Sequence, residues 1–166
     1  MAETLSITNG ASKAEIYEEI LPQISALVAA EEDMIANLAN IAAVLNEAFG
    51  HLWTGFYIRR GNDLVLGPFQ GPLACTRIPV EPTPRGVCGT SASQMKTLVV
   101  PDVEAFPGHI ACSSLSKSEI VVPLVADGQT KMVLDIDSTF LSTFDDTDRE
   151  YCERIMEIIK VRHFED

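Results

Sequence analysis

The spacing of apolar residues changes twice along this chain, and the change limits the folds that it can adopt. Residues 12–30 and 32–49 carry apolar side chains at helical spacing, which predicts two helices. Between residues 52 and 137, short apolar runs are separated by Gly, Pro and Asp turn signals, which is typical of strands in hairpins. Helical spacing returns over residues 144–160. We therefore predict an α+β fold with a central, mostly antiparallel sheet, helices packed on one face and active-site loops on the other.

Local signals define the ends of the predicted helices. Ser12 and Glu15 match the capping-box pattern, so the first helix should begin just after Ser12. Pro22 lies within this helix and should kink or split it. Gly50 follows the last apolar position of the second helix and is the expected stop. A further short helix is expected over residues 91–96, with Thr90 or Ser91 as its cap.

Length, composition and charge exclude several classes of protein. The chain has 166 residues, of which 46% are hydrophobic, which suits a single domain with a buried core. We expect one domain over residues 1–166, with N-terminal helices within 12–50, sheet and loops over 51–140, and a closing helix over 144–162. The net charge of −12 disfavours nucleic acid as a partner. The absence of a signal peptide or long apolar run predicts a cytoplasmic protein that does not bind membranes.

Three carboxylates in predicted strands are candidates for a site. Strand alternation over residues 131–137 places Asp135 and Asp137 on one face, roughly 7 Å apart. Glu119 opens the preceding strand. Burying such groups is costly unless they gain partners. The face is therefore either solvated, or it forms a pocket for a cation, an amino group or a metal.

Aromatic residues in the first strand offer a second candidate. Trp53, Gly55 and Tyr57 share one face, and the glycine should leave a gap beside the two rings. This face is either an aromatic ridge over the core or the wall of a slot for a small ligand. In the second case, Trp53 would favour a methyl group beside a positively polarised sulfur.

The four cysteines differ in their surroundings. In a reducing compartment, reactive thiols or a metal site are better explanations for them than structural disulfides. Cys88 lies between glycines and before a predicted helix, which should leave its sulfur uncovered and favour the thiolate. Cys112 lies on a loop near His109, Cys75 is a third candidate, and Cys152 is assigned to the core. A zinc site of His109 with three cysteines is disfavoured by the wide spacings, so His109 is read as a surface or packing residue.

Six motifs follow one another in this chain: Leu64-Val-Leu-Gly-Pro-Phe-Gln-Gly71, Ala74-Cys-Thr-Arg-Ile-Pro79, Gly86-Val-Cys-Gly-Thr90, Gly108-His-Ile-Ala-Cys112, Ser118-Glu-Ile-Val121 and Val133-Leu-Asp-Ile-Asp-Ser138. In that order they closely resemble the free methionine-(R)-sulfoxide reductases, a family of stand-alone GAF-domain enzymes. The likeness extends from about residue 34 to the last helix. It implies a GAF-like fold, often as a homodimer, and reduction of free, not peptide-bound, methionine-(R)-sulfoxide.

The resemblance also implies roles for individual residues. Cys112 matches the nucleophile, which would become a sulfenic acid, and Cys88 and Cys75 match the resolving or recycling thiols. No cofactor or metal is expected, and an external dithiol such as thioredoxin would reset the enzyme. The positions that line the substrate pocket in the family are occupied here by Trp53, Tyr57, Glu119, Asp135 and Asp137.

This chain departs from the family pattern at two places. The loop between Cys75 and Cys88 is longer than expected, through residues 81–84. Met132 stands where a glycine is usual, although alternation points it away from the two aspartates. Two other functions remain open: a non-catalytic GAF sensor of a small molecule or of redox state, and a zinc-binding interaction module.

The proposed substrate is a zwitterion, so its recognition needs groups of both charges. Glu119 and the aspartate pair would bind its ammonium, and one of these carboxyls would also donate the proton to the departing oxygen. Loop N–H groups over residues 108–112 or 113–116 would bind its carboxylate. The residues alone do not choose between the two loop segments, nor do they choose the proton donor.

Overall fold

The computed structural model describes residues 4–110 and 112–165 of the chain, and Ala111 of the fourth motif lies outside these residues. The strands form one antiparallel six-stranded sheet in the order β3-β2-β1-β6-β5-β4. No helix among the described residues combines the length and apolarity needed to cross a bilayer. In chain order, the elements are α1 (Lys13–Ala30), α2 (Met34–Phe49), β1 (Trp53–Arg60), β2 (Asp63–Gln70), β3 (Arg77–Pro79), α3 (Gly86–Gln94), β4 (Leu98–Val100), a 3-10 turn (Val103–Ala105), β5 (Ser118–Ala126), β6 (Gln129–Ser138) and α4 (Asp146–His163).

The two faces of the sheet carry different layers, and the predicted α+β architecture is confirmed. Helices α2 and α4 lie on one face, α1 packs on these two helices, and the three share an apolar core with Phe56, Leu134 and Ile136 of the central strands. The other face carries α3 and the long loops, over a smaller cluster that includes Trp53 and Tyr57. Alternation in β6 is as predicted, because Met132 belongs to the helix-covered core. The face of α3 and the loops is therefore where a site can form.

The start of α1 and the end of α2 follow the predicted signals, whereas Pro22 does not act as predicted. Ser12 and Glu15 form a complete capping box at the start of α1. Gly50 ends α2 in the left-handed conformation. Pro22, however, does not split α1, which is continuous. The buried side chains on either side of it, Ile20 and Ile24, lie in the apolar core that α1 shares with α2 and α4, and their burial offsets the loss of the backbone hydrogen bond that proline removes.

Helix α3 begins earlier than predicted, at Gly86 instead of residue 91. Thr90 does not cap a following helix, since its hydroxyl donates to the carbonyl of Gly86. Gly86 has φ of +64°, which suits glycine, and its N–H donates to Gly108 O. Gly89 leaves no room for a side chain, because a Cβ there would lie 2.4 Å from Pro79 O. Packing against the sheet thus forms a helix where the sequence signals were weak.

Candidate active site

A cavity of about 580 Å³, including its part open to solvent, lies on the face of the sheet that carries α3. Its floor comes from β1, β5 and β6, one wall from the start of α3, and its rim from the loops on either side of Cys75 and Cys112. Cys75 itself is not one of the described residues that line the cavity. Of the residues predicted for the site, the cavity brings together Trp53, Tyr57, Cys88, Cys112, Glu119, Asp135 and Asp137.

The strand register explains why the three carboxylates meet. Glu119 of β5 pairs directly with Asp137 of β6, and Asp135 lies two residues along β6 on the same face. Glu119 and Asp135 are each only 6% exposed. Asp137 is partly buried and accepts a hydrogen bond from the Ser116 hydroxyl. The acidic face is therefore part of a pocket and is not a solvated surface.

Burial separates the pKa values of these acids. It raises the pKa of Glu119 and of Asp135 well above the usual range, and the neighbouring carboxylates add to the effect. Burial also raises the pKa of Asp137, to about 6, against the opposing effect of the hydrogen bond from Ser116. Near neutral pH, Asp137 is mostly ionised because its pKa is about 6, whereas the raised pKa values of Glu119 and Asp135 favour their protonated forms.

Asp137 makes the stability of the fold depend on pH. Its pKa is raised on folding, so the folded protein binds this proton more tightly than the unfolded chain does, and stability falls as pH rises from about 4 to 7. A shift from 3.8 to about 6 corresponds to at most about 3 kcal/mol, and partial exposure of Asp137 lowers this to about 1–2 kcal/mol. We expect Asp137→Asn to gain that much stability relative to the wild type between pH 4 and pH 7. Urea denaturation across this range measures it, and a difference that does not change with pH would contradict the shift.

Cys88 does not have the environment predicted for it. It lies in the first turn of α3, is 3% exposed, and its Sγ is 3.9 Å from Glu119 Oε1. Burial and the neighbouring acids Asp135 and Glu119 raise the pKa of this thiol well above its usual value. The expectation of an uncovered thiolate was wrong. Helix α3 places the sulfur against the acidic floor of the cavity. The resulting rise in the pKa of the thiol outweighs any lowering of it by the helix N-terminus.

Cys75 and Cys112 form a disulfide, with sulfurs 1.98 Å apart and a sequence separation of 37 residues. The structure therefore represents the oxidised state of this pair. Cys112 is exposed and lines the cavity, whereas Cys75 is partly buried and its carbonyl accepts a hydrogen bond from the Tyr57 hydroxyl. Cys88 and Cys152 are free, and Cys152 lies in the core as predicted. In this state Cys75 and Cys112, two of the four residues of the alternative zinc site, are bonded to each other and cannot bind zinc.

The aromatic wall differs from the prediction in one respect. The Trp53 ring stacks on Phe69, at 5.2 Å between centroids, and on Tyr57, at 5.7 Å. The gap expected at Gly55 is absent, because a Cβ there would lie 2.3 Å from the Cβ of Phe69. Trp53 still lines the cavity. Trp53 Nε1 and Asp135 Oδ1 are buried without a hydrogen-bond partner among the described residues, and both residues line the cavity, so these two atoms are available to a ligand.

Three cavity residues were missed by sequence reasoning or given another role. The Ser116 hydroxyl donates a hydrogen bond to Asp137. His109 was predicted to be a surface or packing residue, but its Nε2 lies 3.8 Å from Glu119 Oε2. Burial lowers the pKa of His109, which favours the neutral ring. Arg85 lines the cavity just before α3, and it is exposed and makes no capping hydrogen bond. The only sequence signal for Arg85 was its position directly before Gly86.

Comparison with known proteins adds independent findings. Residues 28–161 match the family model for the GAF domain. The chain is 56% identical to the GAF domain-containing protein A of Dictyostelium discoideum, over 96% of this chain and 99% of that protein. It is 46% identical to the free methionine-R-sulfoxide reductase of Escherichia coli, over 84% and 83% of the two chains. An X-ray structure of free methionine-R-sulfoxide reductase from Neisseria meningitidis, in complex with its substrate, superposes with a TM-score of 0.89 at 54% identity, covering 96% and 95% of the two chains.

Proposed function

We propose that this chain, a member of the free methionine-R-sulfoxide reductase family of GAF-domain proteins, reduces free L-methionine-(R)-sulfoxide to L-methionine. The observation that carries this proposal is the shared cavity of a redox-active sulfur and an acidic floor. Cys112 of the disulfide lines the same space as Glu119, Asp135 and Asp137. A thiol that attacks a sulfoxide and acids that bind an amino group are the two elements that this substrate requires.

The acidic floor favours a free amino acid over a methionine residue in a peptide. Asp137, ionised near neutral pH, is suited to bind the substrate ammonium, and the unpartnered Oδ1 of Asp135 offers it a second acceptor. A peptide-bound residue has an amide in place of the ammonium. Its binding would leave buried carboxyl groups without partners, which costs more than a lost contact at the surface.

Arg85 is suited to bind the substrate carboxylate. Of the described residues that line the cavity, only Arg85 and His109 have basic side chains, and the lowered pKa of His109 favours its neutral form. The loop N–H groups expected for this role are fewer than the sequence suggested, since those of His109, Cys112 and Ser116 already donate within the loop. A guanidinium gives the charge and the paired donors that a carboxylate needs.

Arg85→Met tests this assignment. We expect the KM for free methionine-(R)-sulfoxide to rise by about 10- to 100-fold, the equivalent of about 1.5–3 kcal/mol for a hydrogen bond to a charged group, with kcat within about 3-fold of the wild type. The sulfoxide of the decarboxylated substrate, 3-(methylsulfinyl)propylamine, should be reduced equally by both proteins. Steady-state kinetics on the two substrates measure the difference.

The matched control is Arg60→Met, which removes an exposed arginine at the end of β1, outside the cavity. It should leave both substrates unaffected. Arg85→Lys should recover part of the affinity, because it keeps the charge but not the paired donors. If Arg85→Met impairs the decarboxylated substrate as much as the natural one, Arg85 does not act on the carboxylate.

The reduction step balances with groups that the cavity holds. The Cys112 thiolate attacks the sulfoxide sulfur and forms a transient S–S bond to it. The protonated oxygen then moves to Cys112 while the S–O bond and the new S–S bond to the substrate sulfur both break, which leaves a sulfenic acid on Cys112 and releases methionine. The departing oxygen needs a proton as charge develops on it. Glu119 or Asp135, each with a raised pKa, would supply this proton near neutral pH. Trp53 would hold the methyl group of the substrate.

The remaining steps return Cys112 to a thiol. The thiol of Cys75 condenses with the sulfenic acid, a disulfide forms and water leaves. The bond between Cys75 and Cys112 supports this choice over Cys88, which is free. An external dithiol of the thioredoxin type would then reduce the disulfide by exchange. Because this cycle depends on a reducing dithiol pool, we place the protein in the cytoplasm.

A steady-state assay tests the proposed function. The purified protein is supplied with thioredoxin, thioredoxin reductase and NADPH, and with one of three substrates. We expect turnover of free L-methionine-(R)-sulfoxide and none of its S epimer or of N-acetyl-methionine-(R)-sulfoxide. Tight binding of the free substrate without release of methionine would instead favour a sensor. Equal turnover of the N-acetyl compound would overturn the role given to the acidic floor.

A further inference from the structure

A thiol and two carboxyl groups lie close together in the cavity. The proposed cycle uses the two acids, but it gives the thiol no covalent step. Cys88, Glu119 and Asp135 each offer one ligand atom, and the three atoms lie within 4.8 Å of one another. We propose that these residues form a binding site for a divalent metal ion of borderline softness, Zn²⁺ first, and that the bound metal excludes the substrate from the cavity. The exclusion of substrate rests on the proposed function, whereas the metal site does not.

The thiol distinguishes this site from a simple ammonium pocket. Carboxylate oxygens alone would bind an ammonium group, and a sulfur beside them adds little to that contact. A sulfur ligand together with carboxylates is a donor set that zinc accepts. Cys88 takes no part in the disulfide. Asp135 is more than nine-tenths buried, lines the cavity, and its Oδ1 has no hydrogen-bond partner among the described residues.

The geometry needs little rearrangement. Zinc bonds of about 2.0–2.3 Å place two ligand atoms of a tetrahedral site roughly 3.5 Å apart, so atoms within 4.8 Å need shifts of about 1 Å. The fourth position is open to water or to His109, whose Nε2 lies 3.8 Å from Glu119 Oε2. A dication also offsets the negative charge that the three ligands would carry. The site thus has three protein ligands from α3, β5 and β6 and one adaptable position.

The oxidised protein isolates this site for measurement. With the disulfide between Cys75 and Cys112 intact, the free thiols are Cys88 and Cys152, and Cys152 is in the core on the other side of the sheet. We expect calorimetry to show about one Zn²⁺ per chain. With Co²⁺ as the probe, a sulfur-to-cobalt charge-transfer band should appear. Neither measurement requires turnover.

Variants identify the ligands. Cys88→Ser should weaken Zn²⁺ binding by at least ~10-fold and remove the charge-transfer band, because a hydroxyl is a poor zinc ligand. Asp135→Asn should weaken binding while keeping the band. The matched control Cys152→Ser should change neither, and circular dichroism of each variant checks that it is folded. The proposed site is wrong if Zn²⁺ does not bind stoichiometrically, or if Cys88→Ser binds it as well as the wild type.

Competition tests the second half of the proposal. Saturating methionine should weaken the apparent affinity of the oxidised protein for Zn²⁺ by at least ~10-fold. If Zn²⁺ binds through Cys88 but methionine leaves its affinity unchanged, the metal does not exclude the substrate. A protein that binds Zn²⁺ in this way yet fails to reduce methionine sulfoxide would refute the proposed function and leave the metal site standing.

Discussion

Replacing Cys112 by serine will abolish the release of methionine from free methionine-(R)-sulfoxide, even in a single turnover of the reduced enzyme. A hydroxyl supplies almost no anion near neutral pH, so the attack on the sulfoxide sulfur is lost, and we expect the rate to fall by ~10⁴-fold or more. The measurement is a quenched reaction without external reductant, in which methionine is quantified by chromatography. It reports the first chemical step and is independent of recycling.

The other two candidate redox cysteines, Cys75 and Cys88, provide the contrast. With thioredoxin, thioredoxin reductase and NADPH present, the wild type should turn over repeatedly, whereas Cys75→Ser should release about one equivalent of methionine per chain and then stop, because the sulfenic acid on Cys112 has lost its partner. Cys88→Ser should retain the first turnover, because the Cys88 thiol is buried and its pKa is raised. If Cys88→Ser abolishes the first turnover while Cys112→Ser retains it, the nucleophile has been assigned to the wrong sulfur.

The second large effect is expected for Asp135→Asn, which should lower activity and raise stability at the same time. In the proposed complex the Asp135 carboxylate binds the substrate ammonium, so the loss of its charge should reduce kcat/KM by ~100- to 1,000-fold. The same change removes a group whose ionisation is penalised by burial, so the protein should become more stable at pH 8, with a Tm higher by a few degrees. Kinetics and thermal unfolding of the same preparation measure both.

Asp148→Asn is the matched control for this result. Asp148 is also buried, at 1% exposure, but it lies on the helix-covered side and has partners in Lys13 and the Tyr17 hydroxyl. Breaking this paired site should destabilise the protein by about 3 kcal/mol and leave kcat/KM unchanged at a temperature where the variant is folded. If Asp135→Asn behaves in the same way, its carboxylate has a structural role and does not bind substrate.

The sequence predicted those parts of the site that depend on strand periodicity. Alternation alone placed Asp135 and Asp137 on one face and Met132 on the other, and the structure has this arrangement. The position of Glu119 at the start of its strand also followed from local pattern. A period of two residues is enforced by the backbone itself, so it can be read from one chain. The family motifs then indicated that these acids belong with Cys112.

The environment of Cys88 and Gly55 depended on contacts distant in the sequence. Glycines on both sides of Cys88 suggested an open sulfur, yet α3 folds onto β5 and β6 and buries it. The glycine at 55 suggested a gap, but Phe69 of the neighbouring strand fills it. Both errors share one cause: a small residue permits close approach, and only the tertiary structure shows which segment approaches. The choice of Cys75 as partner for Cys112 likewise required the positions of two loops.

The bond between Cys75 and Cys112 also has a consequence for the durability of the protein. A crosslink over 37 residues restricts the unfolded chain and stabilises the folded one by about 4 kcal/mol through loop entropy. In the proposed cycle, each turnover therefore alternates between a more stable oxidised form and a less stable reduced form of the protein. When the reductant is depleted, the protein accumulates in the oxidised form. Because this form is the more stable one, a shortage of reductant makes the protein more resistant to unfolding.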